Sequence, residues 1–227
     1  MKNRAPLVSF TFDRCPDSAF TNGASILEDH GIYGTFYISS GKCDTDDTYW
    51  HVITPEQLRA LHEHGHEIGC HTFSHVNVET LSASGVDEEC RMNHNLLRRL
   101  CGDMQLTNFC YPFGSVSLPR KLQIQRKFDT CRGTDEGINV GTIDLGLLKV
   151  VELSNRTLTQ DKLQSVLRET CDHNGWLIFY GHDVADPPTF MGCSPALLRS
   201  TVETVQSMGI TCVSVRVALK HIGYSVG

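Results

Sequence analysis

Short blocks rich in β-branched and aromatic residues alternate along the chain with longer stretches whose apolar positions recur every three or four residues. Leu7 to Phe12 is the first block, a predicted strand that breaks at Asp13-Arg14-Cys15-Pro16. Ser18 to Gly31 reads as a helix burying Ile26 and Leu27 and stopping at its glycine. Gly34 to Ser39 is a second strand. Thr54 to His64 is helical, with Thr54 as N-cap, Pro55 at the first helical position, and Leu58 and Leu61 on the buried face. Glu67 to Cys70 is a short buried strand. Ser84 to Cys101 predicts a helix with a stripe of Val86, Cys90, Leu96, Leu97 and Leu100. Further strands are expected over Asn108 to Tyr111, Phe128 to Arg132, Leu147 to Leu153, Trp176 to Tyr180 and Ile210 to Val217. Helices are expected over Pro119 to Lys127, Leu158 to Asn174 and Pro195 to Met208, and Gly133 to Gly146 reads as loop.

Seven or eight apolar strands separated by helices, with no repeat shorter than the βα unit, predict a parallel (β/α) barrel in a single domain over residues 1–227. The polar residues favour the same fold. Asp13, His71, Tyr111 and His182 each fall just past the carboxyl end of a predicted strand, and in a barrel those ends converge on one face.

Composition narrows the function classes. No run approaches the roughly 18 apolar residues that a membrane span needs. The apolar run after Met1-Lys2-Asn3-Arg4 is too short for a signal peptide, so the cytoplasm is the expected compartment. The net charge of −6, without a basic run, argues against nucleic acid as a partner. Ten cysteines without a CxxC pair predict small buried thiols rather than a disulfide framework.

Candidate chemistry centres on Gly65 to His75. His71 and His75, four positions apart, share one face if the segment coils into a helical turn, and there make half of a metal site. Hydrolysis of an amide or ester by a metal-bound water also needs a carboxylate base and an acid for the leaving group. Asp13 can be the base and His182 the acid. The turn Tyr111-Pro112-Phe113-Gly114 could aim backbone N–H groups at an oxyanion and contact substrate. Plainer readings stand beside these: Asp13 as a helix cap or partner of Arg14, His182 as a turn histidine beside Asp183. His62 and His64 read as a solvated helix end, with His66 of the same cluster belonging to the strand entrance, Asp44, Asp46 and Asp47 as a solvated loop, and Asp17 as an acid favoured at a helix start.

These residues resemble the motifs of the polysaccharide deacetylases that share the NodB homology domain. Thr11 to Pro16 looks like TFDDGP, His71-Thr72-Phe73-Ser74-His75 matches H(S/T)xxH in full, Phe109 to Gly114 looks like FRPPYG, and Phe179 to His182 looks like LxH. The resemblance runs in order from about Leu7 to Val217. It implies a distorted (β/α) barrel of about seven strands that removes an acetyl or related acyl group from an amino sugar, with carbohydrate or a small amide as substrate. It also implies Asp13 as base, His182 as acid, and His71 and His75 as ligands of zinc or a similar divalent ion. Two positions depart from the pattern. Arg14 stands where the family has a metal-binding Asp, and arginine repels a cation at ligand distance. Cys110 stands where the third motif has Arg, and no clear DxxDW fourth motif follows, although Arg132-Gly133-Thr134-Asp135 lies in about its place. These departures leave open a relative that keeps the barrel and binds a glycan or small amide without metal or without turnover.

Overall fold

Every residue of the first strand, β1 (Leu7–Asp13), is buried, as a parallel strand covered on both faces requires. The computed structural model describes residues 5–223; Met1 to Arg4, whose charge entered the leader expectation, lie outside them. Strands β2 (Thr35–Ile38), β3 (Glu67–Cys70), β4 (Asn108–Cys110), β5 (Thr130–Glu136), β6 (Leu148–Glu152) and β7 (Trp176–Gly181) follow β1 around a parallel sheet. It closes because β1 pairs with β7 along one edge and with β2 along the other. The result is a closed barrel of seven parallel strands with flanking helices. An eighth strand, β8 (Thr211–Cys212), pairs with Leu7 and Val8, while β2 pairs only with Thr11 to Asp13. Wedged against that one edge, β8 distorts the barrel at its amino end.

The helices are α1 (Ser25–Asp29), α2 (Pro55–Glu63), α3 (Ala83–Cys101), α4 (Leu118–Ile124), α5 (Gln160–Asp172), α6 (Pro195–Ser207) and α7 (Val215–His221). Local chemistry starts α2 as its sequence predicts: Thr54 and Gln57 each bond the other's backbone N–H, and Pro55 opens the helix. Among the described residues no helix is long and apolar enough to cross a membrane. All ten cysteines are free; Cys15, Cys70, Cys90, Cys110, Cys131 and Cys193 are buried, and Cys43, Cys101, Cys171 and Cys212 are partly exposed.

Alternation sends one residue in two toward the lumen, and the contacts name them. Near the amino end Glu67 on β3 accepts from Thr35 on β2 at 2.8 Å and from Asn108 on β4, which in turn accepts from Thr130 on β5 at 2.6 Å. Helix α7 closes this end: Val215 N–H donates to Thr35 Oγ1 at 3.0 Å and Arg216 N–H to Glu67 at 2.9 Å. Val215, Ala218 and Leu219 pack there on Leu7, Leu148, Val150, Trp176 and Ile178. Most of the remaining apolar residues of the strands, Phe10, Phe12, Phe36 and Phe179 among them, belong to the larger core.

Three local expectations are corrected. The strand expected over Ile210 to Val217 ends at Cys212, and Val215 begins α7. Its β-branched residues are overridden by two strand side chains that satisfy the otherwise unpaired N–H groups of the first helical turn. Strand β5 runs past Arg132 to Glu136, with a register irregularity against β6, so part of the expected loop is strand. The helix expected from Ser18 opens as a π-helical segment over Ala19–Ala24 before α1.

Asn93 ties α3 to the ends of β2 and β3. Its side chain accepts from Ser40 N–H at 2.8 Å and donates to the Ile38 carbonyl at 2.9 Å and to Cys70 Sγ at 3.3 Å. Asn93→Leu leaves the buried Ser40 N–H without its acceptor and should cost about 2 kcal/mol. The check is a urea titration, where the midpoint should fall with an unchanged slope.

Candidate active site

Four strand ends bring the expected residues together. Asp13 is the last residue of β1, His71 follows β3, Tyr111 follows β4 and His182 follows β7. A pocket of about 400 Å³ is lined by Asp13, His71, His75, His182, Tyr111 and Phe113. Pro112 and Gly114 are not among its lining residues. A hollow of about 480 Å³ lies on the barrel flank beside α3, but its cations are spent, Lys127 on Asp87 at 3.3 Å and Arg91 on Glu88 at 2.5 Å. The chemistry gathers in the smaller cavity.

Asp13 is held from below. Arg132, fully buried on β5, pairs with its Oδ1, and the Cys110 thiol on β4 donates to its Oδ2 at 3.6 Å. Burial alone would raise the Asp13 carboxyl, yet Arg132, aided by His71, His182 and the thiol, brings it below the ordinary carboxylate value. Asp13 is therefore ionised at neutral pH. The guanidinium itself lies over the rings of Tyr37 and Tyr180, 4.9 and 5.4 Å from their centroids. The ring of Tyr37 occupies the space a Cβ on residue 69 would need, 2.5 Å away, so only glycine fits there.

The two histidines meet, though not through a helical turn. Thr72 and His75 adopt positive φ of 62° and 55°, and the intervening loop is pinned by Glu89 of α3, which accepts from Phe73 N–H at 2.9 Å and Ser74 N–H at 2.8 Å. The imidazoles lie 4.9 Å apart. His71 Nδ1 lies 2.9 Å from the Cys110 carbonyl, which can only accept, so Nδ1 carries the proton and Nε2 keeps its lone pair. Burial lowers His71 to about 4 and, with the positive surroundings of His71 and Arg14, lowers His75 to about 2. Both rings are neutral at neutral pH. Asp13, His71 and Cys110 also place ligand atoms within 4.8 Å of one another. His75 is not in that set, so the ligand atoms that lie together are those of one imidazole, one ionised carboxylate and one thiol, donors of the kinds that hold a divalent cation.

Arg14, in the position of the family Asp, turns its guanidinium to Asp47 and over Trp50, 5.2 Å from the ring centroid. It supplies no lone pair and adds positive charge to the rim. Asp17 does not line the pocket and so does not replace the missing carboxylate. His182 sits 5.7 Å from Trp50 between ring centroids, and burial, opposed by Asp13, lowers its pKa. Its Nδ1 is buried without a protein partner, as are Arg132 Nε and Tyr37 Oη. Asp183 is turned away, accepting from Thr189 N–H at 2.8 Å and Thr189 Oγ1 at 2.5 Å. The turn after β4 offers less to an oxyanion than expected. Tyr111 N–H donates to the Arg132 carbonyl and Gly114 N–H to the Tyr111 carbonyl, both at 3.0 Å. Proline has no N–H, so at most the Phe113 N–H remains.

Arg132, which the sequence places only at about the position of the fourth motif and without a role, completes the site from below with Tyr37 and Tyr180, which sequence reasoning passed over, as it did Tyr49, Glu152, Arg156 and Phe190 at the mouth. A charged residue ending the short apolar block at Phe128 was the available signal for Arg132. The mouth residues sit on loops and strand ends with no periodic pattern to mark them.

The model of the family described as "Polysaccharide deacetylase" matches residues 1–130. A chitin deacetylase of Pestalotiopsis sp is 27% identical over 94 residues, 41% of this chain but 30% of that protein's length. The chitin deacetylase of Colletotrichum lindemuthianum is 22% identical over 217 residues, 92% of this chain and 77% of that one. The solved structure of that enzyme superimposes with a TM-score of 0.69 at 20% identity, covering 99% of this chain and 91% of it. A family 4 acetyl xylan esterase from Clostridium thermocellum, in complex with a cobalt ion, gives 0.67 at 20% identity over 96% and 93%. A CE4 family pseudoenzyme from Bacillus anthracis gives 0.65 at 16% identity over 96% and 66%. At such identities the structural likenesses establish the barrel, and the sequence match, which takes in β1 through β4, establishes descent: the chain belongs to the polysaccharide deacetylase family.

Proposed function

We propose that the chain is a hydrolase that removes an N-acetyl or related acyl group from an amino sugar or polysaccharide. The observation that carries this reading is the convergence of Asp13, His71, His75 and His182 on one pocket from three strand ends, those of β1, β3 and β7. Asp13, kept ionised by Arg132, takes the proton of the attacking water. His182 serves the departing nitrogen as acid. Its lowered pKa makes the protonated form a minority at neutral pH, so that role gains from a mildly acidic medium. His71 and His75 would hold a divalent cation, zinc by family resemblance, which when bound polarises the acyl carbonyl and acidifies water. Around the mouth Phe113, Tyr49 and Phe190 are 65%, 48% and 51% exposed, offering flat apolar surfaces to sugar rings.

A second reading, a family member that binds a glycan without hydrolysing it, is favoured by Arg14, which leaves the cation one carboxylate short. The structural likeness to a pseudoenzyme of the family is compatible with it. Metal analysis of purified protein, with deacetylation of an N-acetylated chito-oligosaccharide, separates the two. Stoichiometric metal and activity in the wild type are the expected result. Metal and turnover that appear only in Arg14→Asp favour the glycan-binding reading, and metal in neither protein counts against the cation slot. In an active chain Asp13→Asn should lower kcat by roughly 10²- to 10⁴-fold.

The buried imidazoles also fix the acid side of the stability curve. His71 has an ordinary value of 6.5 when unfolded and about 4 when folded, so between those values the unfolded chain binds more protons. Stability should therefore decline as pH falls from about 6.5 toward 4. Thermal midpoints recorded across this window should show that decline, and a shallower one in His71→Gln.

A further inference from the structure

Residues 44–53 fold back on themselves as a small hairpin beside the cavity. Its arms are joined by Asp44 N–H to the Ile53 carbonyl at 3.1 Å, Val52 N–H to the Thr45 carbonyl at 3.0 Å and Asp47 N–H to the Trp50 carbonyl at 2.8 Å. His51 reaches across to Asp46 at 2.9 Å and Asp44 at 3.3 Å. The base is sewn to the residues that follow β1: Ile53 N–H donates to the Cys15 carbonyl at 3.0 Å and Asp17 N–H to the His51 carbonyl at 2.9 Å. The tip carries Tyr49 and Trp50, and the ion pair of Asp47 with Arg14 ties it to the end of β1. That guanidinium begins a row of flat groups. Arg14 Cζ lies 5.2 Å from the Trp50 ring centroid, the Trp50 and Tyr49 centroids are 5.8 Å apart, Tyr49 meets Phe190 edge-on at 5.4 Å, and Arg156 Cζ lies 5.8 Å from Phe190. Arg14, Tyr49, Phe190 and Arg156 all line the cavity. Trp50 Nε1 is buried without a protein partner, so packing and not a hydrogen bond fixes the indole.

We infer that Arg14 is a positioning residue for the sugar-binding wall of the cavity: it latches the tip of the hairpin to the end of β1 and so presents Tyr49, beside Phe190, to the ring of a bound sugar. The inference rests on the reading of the mouth as a carbohydrate-binding surface, and not on hydrolysis. The Arg14 side chain is only 19% exposed, and its guanidinium is engaged by Asp47 and Trp50. It therefore acts on a ligand through the wall it holds rather than by contact. Where the resembled motif offers a carboxylate to a cation, this chain offers a cation to the hairpin. An Asp at 14 would set a like charge toward Asp47 and present no planar cation to Trp50. The substitution that leaves the metal site one oxygen short is the one that builds the wall.

The test uses the full chain with excess chelator, which keeps metal and turnover out of the readings. R14Q removes the guanidinium without adding a carboxylate, D47N removes its partner, Y49A removes the exposed ring, and R14Q/Y49A combines two of these. Affinity for an N-acetylated chito-oligosaccharide is measured by calorimetry. Acrylamide quenching reports on Trp50, because the other tryptophan, Trp176, is fully buried and W50F gives its contribution. R14Q and D47N should each weaken binding about tenfold and make Trp50 more quenchable, while the thermal midpoint stays close to that of wild type. Y49A should weaken binding as much. In the Y49A background R14Q should cost little further, since both act through one wall. Wild-type affinity and quenching in R14Q and D47N overturn the latch. Losses that add in the double variant show Arg14 meeting the sugar itself and overturn the positioning role. If wild type binds the oligosaccharide neither in chelator nor with added zinc, the carbohydrate reading falls and the wall loses its use. Quenching of Trp50 in R14Q and D47N then still decides whether Arg14 holds the hairpin.

Discussion

A guanidinium sealed inside the barrel, paired with the carboxylate at the end of β1, is the interaction on which the rest of the arrangement depends. Arg132 has no exposed surface, and burial by itself would lower its pKa. Asp13 reverses that and holds the side chain above the ordinary arginine value. Neither charge is tolerable without the other, since removing one partner of such a pair typically costs about 3 to 5 kcal/mol. The two aromatic faces over the guanidinium, on β2 and β7, are set by this need, and so is the missing side chain at Gly69. A pair that ties β5 to β1 across the lumen fixes both the shape of the barrel and the protonation state of its candidate base.

Much of this was legible beforehand because it is local. The run Glu67 to Cys70 and the Thr54-Pro55 start of α2 need only neighbouring residues to specify them, and both stand where the pattern puts them. The rim histidines and Asp13 were recognisable from motifs at strand ends. What escaped was specified by contacts distant in sequence. Val215 begins a helix because residues on β2 and β3 receive its N–H groups, and no reading of Val213 to Val217 contains that fact. His71 and His75 approach through two left-handed residues and a glutamate on α3 instead of a helical turn. Arg132 looked like the polar end of a strand because its partner lies 119 residues away.

The rim itself is built under strain. Arg14, Cys15, Asp44, Thr72, His75 and Phe113 all adopt positive φ, a region that side chains other than glycine seldom occupy. Such conformations persist where surrounding structure over-determines them. Here the bonds to Glu89 and the pairing of Arg14 with Asp47 do so, on top of strands too well packed to yield. The left-handed turn at Arg14 and Cys15 sends the chain away from Asp13 as soon as β1 ends, which leaves the carboxylate facing the cavity.

Among the described residues, the polar ring of Thr35, Glu67, Asn108 and Thr130, stoppered by α7, fills the amino end of the barrel. The cavity that Asp13 lines is also lined by Tyr49, Phe113 and Phe190, all about half exposed or more, so a molecule entering at the carboxyl end meets these rings on the way to the carboxylate. A sugar chain lying across those rings would shut in whatever water remained beneath it, so the guest itself would serve as the covering of the cavity.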